Sequence, residues 1–376
     1  TELELLHSLL EGIAVSVSHA TQSYFAKIKP SQSNNNISAL SLSRSESEDA
    51  INALPTIDIT KVLDGTMEGV AKPFKLRVDE VLCSKPGPGA VVIYRISNLL
   101  DFYHRTISRV MGVDGTLPKC LVECKHDSMR VFYDLLKEQG DRFQRAPPLP
   151  LSSLAPPHQI YEAINRLIDI MKIFDSSLVP FEEREAEFRP ILSAVLDPLI
   201  HACTLSATRL SVSDMAVYMI NCLSVMQHSL SFYDFASSRV ENLGAHIKAH
   251  MDTLVQEQAS IILQNCGLAH KISIIQKHNG QTPLSKVTFM DSKSILDTMR
   301  AFEGMLLDPG ALLMPQCDRL INGQLRTFAR NSVANVIYDS FLFFHNAISD
   351  PQNQYENPDS LFTYKPDQVR VMVDAL

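Results

Sequence analysis

The sequence predicts an all-α protein in which consecutive helical bundles form an elongated rod. Three observations support this fold class. Apolar residues recur at steps of three and four over most of the chain, which is the spacing of one helix face. Glycine is scarce, at 14 of 376 residues, so few sharp turns are needed. Alternation with a period of two, which is typical of strands, is nearly absent.

The composition excludes some classes of partner. Hydrophobic residues make up 45% of the chain, which is enough for continuous cores. The net charge of -8 comes from 42 acidic and 34 basic residues that are spread along the chain without a run of one sign. Nucleic-acid-binding proteins usually display a basic face, so no nucleic-acid partner is expected.

The cysteines and the hydropathy pattern point to a cytosolic protein. Seven cysteines are an odd number, and most occupy apolar positions of helical patterns, which predicts reduced core residues. No stretch approaches 18 consecutive apolar residues, so no membrane-spanning helix is expected. The chain begins at Thr1 on a helical pattern, which predicts a fragment rather than a signal peptide. The cysteines are Cys83, Cys120, Cys124, Cys203, Cys222, Cys266 and Cys317.

The region 1–55 is predicted to contain an N-terminal helix and a mobile loop. Glu2 to Ile28 has apolar residues on one side of a helix. From Pro30 to Asp49 the chain is rich in serine and asparagine. This segment lacks the apolar content that would offset its ordering entropy.

The region 56–157 is predicted to form a helical bundle of three helices. A Pro/Gly turn follows the first helix, which is expected to bend at Pro73. The proline-rich stretch Ala146 to Pro157 is the best domain boundary in the chain. The predicted helices are Asp58–Leu82, Ala90–Met111 and Leu117–Arg145.

The region 158–376 is predicted to form the remaining bundles of the rod. Pro190 and Pro198 each remove an amide donor, so the helix that contains them is expected to be broken or bent at both. The last long helix is expected to bury Phe328, Val333, Val336, Ile337, Phe341, Phe344 and Ile348. The predicted helices outside 213–267 are His158–Phe174, Phe181–Leu210, a short one ending near His278, Asp291–Leu307, Pro315–Ile348 and a tail helix with Pro366 in its first turn that continues over Val369–Val373.

The longest helical pattern runs from Ser213 to Gly267, and the sequence predicts one helix with a kink near residues 236–238. Ser213 and Asp214 suit a helix start, and Gly267 suits a stop. The predicted buried face consists of Met215, Met219, Cys222, Met226, Leu230, Tyr233, Val240, Leu243, Ile247, Met251, Leu254, Gln258 and Ile262.

His246 and His250 are the first candidate metal ligands. They stand four residues apart with Asp252 nearby, so one helix face could offer two imidazoles to zinc. The glutamate that would follow the first histidine in a helical zinc-protease motif is absent, because position 247 is Ile. A partly exposed helix face is the favoured interpretation.

Cys120, Cys124 and His126 are the second candidate cluster. Two cysteines at a spacing of four could ligate a metal, but the sequence contains no second pair at the spacing of a zinc finger. Two small apolar core residues are the favoured interpretation.

The remaining motifs predict no chemistry. Gly87-Pro88-Gly89 lacks the lysine and serine or threonine of a phosphate-binding loop and is interpreted as a turn. Glu182-Glu183-Arg184-Glu185 is interpreted as the solvated first turn of a helix. No serine or cysteine lies in a nucleophile motif. The sequence therefore predicts no catalytic, cofactor-binding or metal-binding residue, and it leaves the partner-binding residues unknown.

Several long stretches resemble the family of subunit 6 of the conserved oligomeric Golgi complex, in its C-terminal part. The resemblance runs from about residue 60 to the C-terminus. It is carried by residues 73–78 (PFKLRV), 94–108 (YRISNLLDFYHRTIS), 175–180 (DSSLVP), 195–199 (VLDPL), 214–216 (DMA) with Asn221, 250–254 (HMDTL), 257–260 (EQAS) and 366–369 (PDQV).

The resemblance implies a vesicle tether of the helical-rod type that works in intra-Golgi retrograde transport and in Golgi organisation. It implies a peripheral, indirect association with the cytosolic face of Golgi membranes. The expected partners are subunits 5, 7 and 8 of lobe B, together with SNARE proteins and small GTPases. It also implies that an N-terminal coiled-coil part of the family is missing here. The alternatives are a generic helical scaffold and a helical metal-dependent enzyme.

Overall fold

The computed structural model describes residues 59–280, 282–308 and 314–374, together with eight positions between 8 and 22. The elements from residue 59 onward are α-helices joined by short loops and 3-10 turns. The all-α class is therefore confirmed over the described ranges. The helices are α1 Ile59–Leu82, α2 Ala90–Met111, α3 Thr116–Arg145, α4 His158–Asp175, α5 Phe181–Ala207, α6 Val212–Leu230, α7 Ser237–Asn265, α8 Leu268–Lys277, α9 Ser292–Leu307, α10 Pro315–Asp318, α11 Gly323–Ser349 and α12 Pro366–Asp374.

The N-terminal region is only sparsely described. The eight described positions between 8 and 22 are helical and exposed, which agrees with the polar side of the helix predicted for Glu2 to Ile28. The apolar side of that helix and the serine- and asparagine-rich loop lie outside the described residues.

The chain divides into two compact units. Unit 1 comprises Thr1–Gly140 and Arg166–Arg184, and unit 2 comprises Asp141–Asn165 and Glu185–Leu376. The chain therefore passes between the units within α3, α4 and α5.

Unit 1 is built around an apolar core shared by α1, α2 and α3. Phe74, Ile93 and Leu100 are almost completely buried. The rings of Tyr94 and Phe132 lie 4.9 Å apart, which joins α2 to α3. The first turn of α3 is capped from a distant helix, because the Thr116 amide donates to the Asp64 carboxylate on α1 at 2.6 Å.

The prediction of one kinked helix from Ser213 to Gly267 is wrong, because α6 and α7 form an antiparallel hairpin in unit 2. The Gln258 amide donates to the Ser213 hydroxyl at 3.3 Å although the two residues are 45 positions apart. Near the turn, the Gln227 amide donates to the Val240 carbonyl at 3.1 Å. Most of the predicted face is nonetheless buried, because both helices turn it towards the shared core.

The chain reverses between α6 and α7 at a 3-10 turn, which a contact with α5 stabilises. Tyr233 takes extended backbone angles (φ -127°, ψ 116°) before a 3-10 turn at Asp234–Ala236. Phe235 in that turn is buried, and its ring lies 5.0 Å from that of Phe188 on α5. The hairpin starts at Ser211, whose side chain accepts from the Asp214 amide, and ends at Gly267 in the left-handed region (φ 77°).

The prediction of one helix from Pro315 to Ile348 is also wrong in its first part. The chain breaks after α10, and Asn322 caps α11 by accepting from the amides of Gln324 and Leu325. The predicted buried face includes Phe328 and Val336, but Phe328 is 56% exposed and Val336 is half-buried. The buried stripe passes through Ala329 instead, since it follows 329, 333, 337, 341, 344 and 348.

Helix α5 continues through both of its prolines and is not broken at Pro190 or Pro198. Its length and mean hydropathy would be sufficient to cross a membrane, and among the described helices this holds for α5 alone. The core helix of a folded protein can have the same length and hydropathy. Phe188, Leu196 and Leu199 of α5 are completely buried inside the protein, which is the arrangement of a core helix.

Candidate interaction surfaces

His246 and His250 lie on a partly exposed face of α7. His246 and Asp252 are exposed, and His250 is half-buried. Burial and the neighbouring His246 lower the pKa of His250. Across the described residues, no three His, Cys, Asp or Glu side chains are placed so that they could hold a metal ion. The interpretation as a partly exposed helix face is confirmed.

Cys120 and Cys124 are core residues of unit 1, as the sequence predicts. Cys124 is completely buried and the Cys120 thiol donates to the Ala71 carbonyl at 3.3 Å, whereas His126 is exposed. A hydrogen bond with Cys120 and burial raise the pKa of Cys124, so this thiol stays protonated. Six of the seven cysteines are buried and Cys83 is exposed.

The two other motifs occupy the loop and the exposed helix turn that the sequence predicts. Residues 87–89 lie in the loop between α1 and α2. Glu182 and Glu183 are exposed in the first turn of α5. Arg184 in the same turn donates to the carboxylate and the carbonyl of Asp175 at 3.0 and 2.9 Å, which fixes the connection from α4 to α5.

One pocket in unit 2, of about 180 Å³, opens between α5, the 3-10 turn at Asp234–Ala236 and the start of α7. Two arginines approach it, but each is paired with a carboxylate. Arg189 lies 3.3 Å from Glu185, and Arg239 binds Asp197. The paired charges compensate each other, so the pocket offers no strong attraction for an ionic ligand.

A wider cleft of about 500 Å³ lies between the end of α7 and the start of α9. Its acidic residues have local structural partners. Asp291 caps α9 by accepting from the Ser294 amide at 3.1 Å. Asp297 lies 3.9 Å from Arg300 one turn along the same helix. The cleft therefore contains no pair of carboxylates in an apolar setting that would suit acid-base catalysis.

In unit 1, Asp101 joins two helices through an ionic cluster. Its carboxylate accepts from Arg105 on α2 at 2.9 Å and from Lys125 on α3 at 2.7 Å. Partial burial acts to raise the pKa of Asp101, but the hydrogen bonds and charges of Lys125 and Arg105 outweigh it and lower the pKa. The cluster thus holds α2 against α3.

In unit 2, Asn221 on α6 fixes two loops at once. Its buried amide group donates to the carbonyls of Leu154 and Arg319, both at 3.0 Å. Its oxygen accepts from the Ile321 amide at 3.0 Å. Two turns earlier on α6, Asp214 lies 3.2 Å from the Arg319 guanidinium. These bonds attach the segment between α10 and α11 to the hairpin.

Large apolar side chains remain exposed in both units. Single exposed residues are common on protein surfaces, but large exposed aromatic and aliphatic side chains are also candidate contacts for partners. Among the described residues of unit 1 the exposed set is Val15, Leu76, Val92, Phe102, Val113, Leu178 and Phe181. In unit 2 it is Leu149, Leu151, Tyr161, Leu205, Val212, Phe232, Ile261, Phe289, Leu307, Ile321, Phe328, Phe343 and Val371.

Comparison with known families decides the identity. The profile of the family described as conserved oligomeric Golgi complex subunit 6, C-terminal, matches residues 1–373. The chain belongs to this family. It is 39% identical to conserved oligomeric Golgi complex subunit 6 of Dictyostelium discoideum, 35% to that of Rattus norvegicus and 33% to that of Homo sapiens. Each match covers 84% of this chain and 48% of the relative, so the chain spans about half the length of these curated relatives.

Solved structures of an exocyst subunit share the fold. The structures of Exo70p superpose with a TM-score of 0.55 at 11% identity, covering 85% of this chain and 65% of that chain. The S. cerevisiae exocyst component Exo70p gives a TM-score of 0.55 at 10% identity over 98% of this chain. This likeness is one of fold alone.

The structure separates core from surface among the stretches that resemble subunit 6 of the conserved oligomeric Golgi complex. Asp101, Asp214 and Asn221 act inside the fold, since they join helices and loops. Leu76 and Phe102 come from the same stretches but are exposed. They are therefore candidate contact residues, which the sequence could not distinguish from the core.

Proposed function

We propose that this protein is a subunit of the oligomeric Golgi complex that tethers vesicles in intra-Golgi retrograde transport and supports Golgi organisation. The observation that carries the proposal is the family match over residues 1–373. The subunit works at the cytosolic face of Golgi membranes, where its association is peripheral and indirect. Its partners are the other subunits of the complex, with subunits 5, 7 and 8 of lobe B foremost, and SNARE proteins and small GTPases.

The mechanism we propose is mechanical, and the protein breaks no bond. Long helices packed side by side form a stiff scaffold that can present several faces to partners at once. Contacts that are weak singly become strong when one scaffold holds them together, because each later contact forms at a high effective concentration. The exposed apolar side chains of both units support this view, since partner proteins can cover them.

Co-purification tests the proposal. The protein is tagged and isolated from cells, and the recovered proteins are scored against the known subunits of the complex. We expect subunits 5, 7 and 8 in stoichiometric amounts. Recovery of the folded protein without any of them would overturn the proposal. A stoichiometric transition metal whose removal changes an activity would support the alternative of a metal-dependent enzyme.

A further inference from the structure

Phe289 is displayed to solvent by a strained backbone. The Met290 amide donates to the Val287 carbonyl at 3.0 Å, which closes a β-turn over residues 287–290. Phe289 occupies the third position of this turn with φ 67°, a conformation that favours glycine or asparagine. Phe289 is 60% exposed, and its ring lies edge-on to that of His270 on α8 with 5.7 Å between the centroids. A bulky residue in this conformation opposes folding, so the backbone of the turn does not favour phenylalanine at this position.

Buried polar groups fix the backbone on both sides of that ring. Lys271 on α8 is buried, and its ammonium group donates to the Phe289 carbonyl and to the Ser294 hydroxyl. The Tyr355 hydroxyl donates to the carbonyl of the buried Met290 at 2.8 Å. A buried ammonium group is unfavourable unless it is well hydrogen-bonded, so the two bonds of Lys271 stabilise both the lysine and the backbone of this turn. The exposed ring is therefore held in place and does not belong to a loose loop.

The part of the chain that contains Phe289 has several exposed lysines and few carboxylates. The sequence from 258 to 290 contains no Asp or Glu. Lys277, Lys286 and Lys293 are exposed, and none of them makes an ion pair with another described residue. Asp291, two residues further along the chain, caps α9, and Asp297 lies 3.9 Å from Arg300. The three lysines favour an acidic partner, although the net charge of the whole chain is -8.

We propose that Phe289 is the anchor of a docking surface for an acidic amphipathic segment of another subunit of the Golgi complex. The inference rests on the proposed function. The ring inserts between apolar side chains of that segment, and Lys277, Lys286 and Lys293 face its carboxylates. Rigid aromatic anchors dominate the affinity of many interfaces, because they bury a large area with little loss of conformational freedom.

The test compares Phe289→Gly with Phe328→Ala in the full-length protein. Phe328 on α11 is exposed to a similar degree and serves as the matched control. Glycine adopts positive φ without strain, so the melting temperature of Phe289→Gly is expected to be unchanged or higher. Its affinity for the purified remaining subunits is expected to fall at least about tenfold. A ring that serves only to stabilise the turn would give the opposite result, a lower melting temperature with unchanged affinity.

Two further measurements identify the occupant. A photo-crosslinking amino acid at position 289 is expected to capture one acidic segment of another subunit, read by mass spectrometry. The double variant Lys286→Glu with Lys293→Glu is expected to weaken assembly, more strongly at low salt. Binding to phosphatidylcholine vesicles containing phosphatidylserine that depends on Phe289, with assembly unaffected, would overturn the inference in favour of a membrane.

The outcomes separate the inference from the proposed function. If the wild-type protein assembles with the other subunits and Phe289→Gly assembles equally well, the inference fails and the proposed function stands. If the wild-type protein does not assemble with them, both fail.

Discussion

Single polar side chains decide much of this fold because they join segments that are distant in the sequence. Asn221 satisfies two carbonyls and one amide in two loops, and Asp101 joins α2 to α3. Both lie in stretches by which the family can be recognised. Polar groups inside a protein are expensive to leave unpaired, so such positions tolerate few replacements.

Asn221→Ala is expected to lower the free energy of unfolding by about 3 kcal/mol, because it removes the partner of three backbone groups. Urea unfolding measures the change. Asn242→Ala, at an exposed position of α7, is the control and is expected to change stability by less than about 0.5 kcal/mol. Equal effects of the two variants would contradict the structural role of Asn221.

Leu254→Asp is expected to destabilise the protein by at least about 4 kcal/mol. Leu254 is completely buried, and an unpaired carboxylate in its place would lose its water. Ala249→Asp on an exposed position of the same helix is expected to cost less than about 1 kcal/mol. Thermal unfolding compares the two, and an unchanged melting temperature for Leu254→Asp would show that this face of α7 is not core.

The helices show which features local patterns determine. Apolar periodicity and proline placed most helix boundaries within a few residues, since those signals act over one or two turns. The sequence predicts that Pro190 and Pro198 break or bend α5, and the helix is not broken at either proline, since buried side chains lie on both sides of them. The sequence does not predict the hairpin of α6 and α7, because apolar residues recur with the same spacing in both helices. This spacing is the same whether the chain continues straight or reverses between the helices.

Spin labels distinguish a hairpin from a single long helix. Val212 and Ile261 are exposed near the open end of the hairpin, and cysteines there can be labelled in a Cys83→Ser background. A continuous helix would separate the two positions by about 74 Å at 1.5 Å per residue. The hairpin brings them to neighbouring turns, so we expect a distance well below half of that value. A distance near the longer value would contradict the fold.

At the scale of the whole molecule, the chain consists of two compact units, and its overall shape is a prediction from the sequence. The elongated rod is a prediction from the sequence, and so is the division into regions 1–55, 56–157 and 158–376. The predicted boundary at 146–157 lies within the segment Asp141–Asn165 of unit 2. The exposed apolar side chains of each unit are consistent with a protein that works inside a larger complex.

Small-angle scattering tests the rod. A compact globule of 376 residues would have a radius of gyration of about 21 Å. We expect a clearly larger value and a distance distribution with a long tail, since a tether has to span a gap. A value near that of the globule would contradict the rod and the mechanical mechanism with it.

The sequence by itself determined the helical class, most helix boundaries, the core role of Cys120 and Cys124, and the family. Each of these depends on periodicity, on caps or on ordered matches that are local in the chain. Only the tertiary structure revealed the hairpin, the Asn221 contacts and the display of Phe289 by Lys271. A stretch without acidic residues from 258 to 290 was the one sequence signal for that surface. Contacts between distant segments depend on where helices turn and pack, and no single stretch of sequence encodes that.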